Sequence, residues 1–243
     1  MTLRMKSFLV SFLKVHFVDF ENDIACNIFD LVLRGGQMDY MTELSSIAKA
    51  NGGMIETEAA IAHGISKAML SNLCKAEKIH RVAHGQYILP DDMQDELLSI
   101  SKRSEKIIFS HETALFLHGI SDRTPFEHTI TVPSNYTPSV VTKAACKIHY
   151  IKPELFGLGK TFLKTPSGNE VPAYDLERTI CDCIRSRGKM GTETFLAALR
   201  LYAASPRKDL NKLSGYAKQM RVSAENVGQV SETVCLCGGY CVR

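Results

Sequence analysis

At 243 residues the chain is long enough for two modest domains or one large one. Its 45% hydrophobic and 23% charged residues exclude a disordered or integral membrane class. The formal net charge of +3 is unremarkable and by itself selects no partner.

Residues 1–39 read as an extension foreign to the middle of the chain. Residues 7–20, SFLVSFLKVHFVDF, are apolar, but Lys14 and Asp19 interrupt them and no small-residue cleavage site follows. The run is also too short to span a bilayer. It ends in Arg34-Gly35-Gly36-Gln37, whose codons can spell a ribosome-binding site, so the start is expected at Met38 or Met41. A helix from Tyr40 to Ala50 follows, with Leu44, Ile47 and Ala48 on one face and a stop at Asn51-Gly52-Gly53. Ile55 is expected in a short strand.

Residues 57–89 carry the strongest signal, a winged helix-turn-helix within a domain spanning 40–90. Thr57 is expected to cap a first helix kept thin by Ala59, Ala60 and Ala62. Gly64 supplies the sharp turn. Ser66 caps a second helix running to about Lys78, which buries Leu70, Leu73 and Cys74 at i, i+3, i+4. Its opposite face carries Ser66, Lys67, Ala68, Ser71, Asn72 and Lys75, slim and hydrogen-bonding with cations for phosphate, as entry into a major groove requires. Strands over Ile79–Val82 and Gln86–Leu89 flank the turn His84-Gly85, a wing with Arg81 and His84 near its tip. The module is not strongly basic: residues 41–90 hold five Lys/Arg against four Glu, with three histidines. A helical hairpin packed on a partner protein has the same pattern.

Residues 91–101 form an acidic connector expected to be helical. A mixed α/β domain spans 102–222: a strand over Lys106–Phe109, a helix capped by Ser110 and closed at His118-Gly119, and half-buried strands over Glu127–Val132 and Lys147–Ile151. A short edge at Asn169–Val171 and helices over Tyr174–Arg187, Thr192–Ala204 and Asp209–Val222 complete it. Between Arg178 and Arg221 ten Lys/Arg face three acids, a surplus of seven. Arg178, Arg185, Arg187 and Lys189 are thereby expected to form a basic face toward an anionic partner. Residues 223–243 lose helical periodicity, consistent with a frameshifted or truncated gene end.

Other motifs carry less. Eight cysteines lack the paired spacing of a zinc site, with Cys26 alone and Cys235, Cys237 and Cys241 in the tail, so a reducing cytoplasm with no structural metal and no cofactor is expected. Phe156-Gly157-Leu158-Gly159-Lys160-Thr161 fails as a phosphate loop because Glu154 stands where that motif needs its first glycine. His111 and His118, seven residues apart, share a helix face without a third metal ligand. Asp175, Glu177 and Asp182 beside Arg178 and Arg185 are compatible with a metal-dependent phosphodiesterase, or equally with helix capping and i, i+4 pairing. No nucleophile–base–oxyanion set is legible, so no enzymatic activity is expected.

The winged-helix stretch, the segment FSHETALFLHGISDRTPFEHTITVP and the closing YDLERTICDCIR together resemble the AbiEi-type antitoxins of bacterial abortive-infection, type IV toxin-antitoxin systems, over about residues 40–222. The resemblance implies a repressor whose winged helix binds double-stranded operator DNA and autoregulates its operon. It further implies a second domain that counteracts a nucleotidyltransferase-like toxin without a stable complex. The α+β class, an N-terminal winged helix-turn-helix followed by a mixed α/β domain, agrees with the reading of the residues. Two other functions fit the same residues: a phosphodiesterase using the Asp175–Asp182 region and a protein-interaction module.

Overall fold

A computed structural model of the chain describes residues 39–121 and 124–222, an α+β fold of helices and two sheets. Contacts divide the chain into Met1–Ser46 and Ile47–Arg243, so the first helix, α1 (Tyr40–Ala50), straddles the boundary and all other described elements belong to the second unit. The expected N-terminal extension as far as residue 38 and the tail, with Cys26, Cys235, Cys237 and Cys241, lie outside the described residues.

The second unit opens with strand β1 (Ile55–Glu56), helices α2 (Thr57–Ala62) and α3 (Lys67–Lys75), and strands β2 (His80–Ala83) and β3 (Gln86–Ile88). The three strands form an antiparallel sheet in the order β1-β3-β2, with Ile55 opposite Tyr87 and His80 opposite Ile88. Gly64, at φ +79°, makes the turn between the helices, as the sequence predicts. Ile65, Leu70 and Ile79 are fully buried beneath α3, with Leu73 close to it, while Cys74 is only half-buried. The helix stops at Lys75 rather than Lys78, because Glu77 turns left-handed at φ 55° and the Lys78 amide closes back on the Leu73 carbonyl at 3.0 Å.

Thr57 does not cap α2. Glu56 holds the cap position without a side-chain bond, and Thr57 instead donates its hydroxyl (3.1 Å) and its amide (2.9 Å) to the Gly85 carbonyl. The tip of the β2–β3 hairpin is thus tied to the start of a helix.

The expected connector does contain a helix, α4 (Glu96–Ser101), capped by Asp95, which accepts from the Leu98 amide at 3.1 Å. It is also part of a core. Leu97, Leu98 and Ile100 are buried in one cluster with Met54, Ile107, Phe109, Ile130, Val132 and Val171. Polar bonds reinforce this: Gln86 and Ser99, both buried, exchange two hydrogen bonds at 3.2 and 2.6 Å, and Lys102 pairs with Glu56 at 2.9 Å.

The larger sheet has five strands, β4 (Ile108–Phe109), β5 (His128–Pro133), β6 (Cys146–Ile151), β7 (Lys160–Lys164) and β8 (Glu170–Tyr174), in the order β6-β5-β4-β8-β7. The pairings β5–β6 and β4–β8 are parallel, and β4–β5 and β7–β8 antiparallel. Strand β5, expected to be half-buried, is buried on both faces: Thr131 donates its hydroxyl to Ser110 Oγ at 2.8 Å and the Thr129 backbone N–H donates to Thr113 Oγ1 at 2.8 Å, while the buried Thr129 hydroxyl has no partner among the described residues. The edge expected at Asn169–Val171 is instead β8, which has a neighbour on each side. Helix α5 (His111–Leu117) ends at Gly119 as predicted. The short helices α6 (Val140–Ala145) and α7 (Pro153–Phe156) were not legible in the sequence. Helices α8 (Leu176–Arg185), α9 (Thr192–Ala204) and α10 (Leu210–Met220) enclose a second core of Leu115, Ile180, Cys181, Cys183, Ile184, Leu199, Tyr202, Leu213 and Met220.

Gly159, at φ +74°, lies so close to α8 that an added Cβ would stand 2.7 Å from Arg178 Cβ. Gly159→Ala should therefore lower stability by about 2–4 kcal/mol through combined strain and collision. Gly188→Ala, which meets open space, should stay within about 0.5 kcal/mol of the parent. Denaturant midpoints compare the two, and equal midpoints would mean that the 157–159 turn relaxes without cost.

Candidate functional site

Two surfaces gather the residues with chemistry. The first is α3 with the β2–β3 hairpin. Ser66, Lys67, Ser71, Asn72 and Lys75 are all exposed, as are Arg81 and His84. Ser66 Oγ accepts from the Met69 amide at 3.2 Å, so its hydroxyl is engaged as the helix cap while Lys67, Ser71, Asn72 and Lys75 present unshielded tips. Arg81 lies opposite Tyr87 across the hairpin, and its Nε donates to the Ala83 carbonyl at 3.3 Å, where the register shifts between Arg81 and Ala83. That local bond fixes the stem of Arg81 and leaves the guanidinium end in solvent.

The expected basic face needs one correction. Arg185, Arg187 and Lys189 are exposed, but Arg178 is fully buried and faces no partner. Its Nε donates to Asp182 Oδ2 at 3.1 Å, its Nη1 to the carbonyls of Leu155 (2.9 Å) and Leu158 (2.8 Å), and its guanidinium carbon lies 4.3 Å from the Tyr174 ring centre. The i, i+4 carboxylate and two converging carbonyls make burial tolerable where isolated burial of a charge would be prohibitive.

The carboxylates near it are equally committed to the fold. Asp175 accepts from the Arg178 amide at 2.9 Å as the cap of α8, and its other oxygen accepts from Tyr216 Oη at 2.9 Å and pairs with Lys212 at 3.1 Å. Glu177 accepts from the Asp209 amide at 3.0 Å. Burial pushes the Asp182 carboxyl up to about 6, outweighing the attraction of Arg178. His111 and His118 do not act as a pair: His111 lies between Ser110 Oγ (3.0 Å) and Ser186 Oγ (3.1 Å), while His118 Nε2 meets the Tyr174 carbonyl at 2.9 Å.

The second surface is a cleft of about 680 Å³ between edge strand β6, the C-terminal end of α8 and the 3₁₀ turn Arg187–Lys189. Lys147, His149 and Tyr150 line one wall, Asp182, Arg185, Ser186 and Lys189 the other, with His111 between them. The His111 and His149 rings stack at 3.8 Å between centroids. Sequence reasoning found Arg185 and Lys189 but missed Lys147, His149 and the role of His111. Lys147 and His149 do alternate along β6, but nothing local brings them to residues 182–189.

No family model matches the chain, and no curated protein matches it. Among solved structures, the crystal structure of the RV2827C protein from Mycobacterium tuberculosis is similar at 14% identity, with a TM-score of 0.55, covering 82% of this chain and 77% of that chain. At that identity the likeness is one of fold alone. Among the described residues no helix is long and apolar enough to cross a membrane.

Burial, then His149 and nearby cations, hold His111 well below the usual imidazole range, and burial with Lys147 and Lys189 lowers His149 to about 4. Both rings are therefore neutral at pH 7. Since both folded values lie below the unfolded one of about 6.5, the stability they contribute is present above that value and is lost as pH falls through the folded values. Asp182, raised from 3.8 to about 6, contributes the opposite slope between those values. A site-resolved NMR titration separates the two: the His149 ring protons should move with a midpoint near 4. A midpoint near 6.5 would show that the ring is hydrated and unstacked.

Proposed function

We propose that the chain is a DNA-binding transcriptional regulator in which residues 55–89 act as a winged helix-turn-helix on double-stranded operator DNA. The observation that carries this reading is the exposed face of α3 (Lys67, Ser71, Asn72 and Lys75) presented beside a hairpin whose tip is bonded to α2. A slim helix face with an amide for base edges and lysines for phosphates suits the major groove. Arg81 and His84 extend the same surface, where cations commonly meet phosphate or the minor groove. The order β1-α2-α3-β2-β3, with β1 pairing β3, supports naming the hairpin a wing.

The resemblance to AbiEi-type antitoxins extends the proposal. The operon regulated would be the protein's own, and the part of the chain after residue 101 would counteract a nucleotidyltransferase-like toxin without a lasting complex. Arg185, Arg187 and Lys189 are exposed there, and Arg178 is not. The structural likeness at 14% identity is one of fold alone and does not bear on this resemblance.

Gel shifts with the chain's own upstream region test the DNA reading. Asn72→Ala should relax base preference at a cost of roughly 1–3 kcal/mol on the preferred site. Lys67→Ala combined with Lys75→Ala should weaken binding to every sequence and lower the salt slope by about 2. Arg81→Ala should cost on the order of 1 kcal/mol in affinity with an unchanged melting temperature. Wild-type affinity in the double lysine variant would remove α3 from the interface and leave the protein-interaction reading of the same surface.

A further inference from the structure

The cleft between β6 and the end of α8 has a composition that packing does not require. Lys147, Arg185 and Lys189 converge on it from two elements, and none pairs with a carboxylate among the described residues. Lys147 Nζ donates to the Lys189 carbonyl at 3.2 Å, a contact that draws the two walls together and keeps the ammonium at the mouth. The one carboxylate in the lining, Asp182, already accepts from Arg178. The fixed charge facing the space is therefore that of three cations, which calls for an anion.

The rest of the lining narrows the class. His111 is buried and left-handed at φ 48°, a conformation that a non-glycine residue keeps only where its surroundings over-determine it, and one that concentrates at binding sites. It is held by Ser110, Ser186 and the stacked His149 ring. The stack is a planar surface on the cleft. Neutral imidazoles next to three cations present a stacking wall beside a phosphate wall. The volume of about 680 Å³ falls inside the range of small-molecule sites and would hold a nucleotide.

We propose that this cleft binds a nucleoside di- or triphosphate, its phosphates held by Lys147, Arg185 and Lys189 and its base set against the His149 ring. Arginine and lysine together suit a terminal phosphate, the one by its planar fork and the other as a point charge. This site is separate from the α3 surface and does not rest on the DNA-binding reading.

The test is calorimetric titration of the full chain, stripped of nucleotide, with ATP, pyrophosphate, inorganic phosphate and an eight-nucleotide single-stranded RNA. ATP should bind at one site, and pyrophosphate more weakly by about tenfold or more because it lacks the stacking group. Lys147→Ala with Arg185→Ala should weaken ATP by more than about tenfold. His149→Ala should weaken ATP and leave pyrophosphate unchanged. Lys189→Ala, at an exposed position, repeats the charge test should the double variant melt early. No heat with ATP from the folded wild type, or equal ATP affinity in the double and Lys189→Ala variants, overturns the proposal. Equal affinity for ATP and pyrophosphate overturns the nucleoside assignment, and an RNA that outcompetes ATP replaces it with a polymer site.

Discussion

The buried guanidinium of Arg178 joins three separate parts of the second unit. It takes a carboxylate from its own helix, two carbonyls from the 155–158 loop and the face of Tyr174 from β8. One nitrogen, Nη2, has no hydrogen-bond partner, so the ring face and the three hydrogen bonds must carry the charge. Truncating one partner of such a pair typically costs about 3–5 kcal/mol, because the other charge is left buried alone. Gly159 follows from this arrangement: a loop whose carbonyls reach Arg178 passes too close to α8 for a Cβ. The same helix carries Asp175 at its first turn, where Tyr216 and Lys212 of α10 attach. At its other end Arg185 and Ser186 form a wall of the cleft. The Arg178–Asp182 pair thus braces that wall from behind.

Much of the small module was legible because its signals are local. A cap at Ser66, a left-handed turn at Gly64 and apolar positions at helical spacing each act within one or two turns, and each lies where the sequence places it. Thr57 was misread because a hydroxyl near a helix start has a competing acceptor, the Gly85 carbonyl, which becomes available only once the hairpin folds back. The length of α3 was overestimated for a related reason. Glu77 leaves helical conformation without a glycine, and the sequence does not signal that.

The larger sheet was harder to read because its strands depend on distant partners. β7 and β8 are five residues each, and β8 contains Pro172, which argues against an interior strand. Proline is tolerated there because β8 pairs with β4 only through Ala173, while Pro172 sits opposite Phe162 on β7. Charge counting located the basic run but could not see that Arg178 belongs to the core, since a count is blind to burial. The cleft draws on four segments distant in sequence, residue 111, residue 131, residues 147–151 and residues 182–189. Only the parallel pairing of β6 with β5 and the packing of α8 on α5 bring them together.

A buried polar network also ties the small sheet to the large one. Gln86 begins the strand that follows the hairpin turn, and its amide bonds Ser99 of α4 in both directions. Asp95, the cap of α4, accepts from Thr165 Oγ1 at 2.5 Å and from Asn169 Nδ2 at 2.9 Å, and the same Asn169 amide reaches the Gly52 carbonyl at 3.1 Å. A Cβ at Gly52 would collide with that amide. Each of these groups is satisfied only when the two sheets keep one geometry, and an unmade buried bond costs about 1–3 kcal/mol. Several such bonds in one network make a hinge at residues 91–101 unfavourable. The hairpin bearing Arg81 and His84 is therefore oriented by the larger sheet rather than by a flexible tether. Any partner that engages both the α3 surface and the part of the chain after residue 101 meets them in a fixed relation.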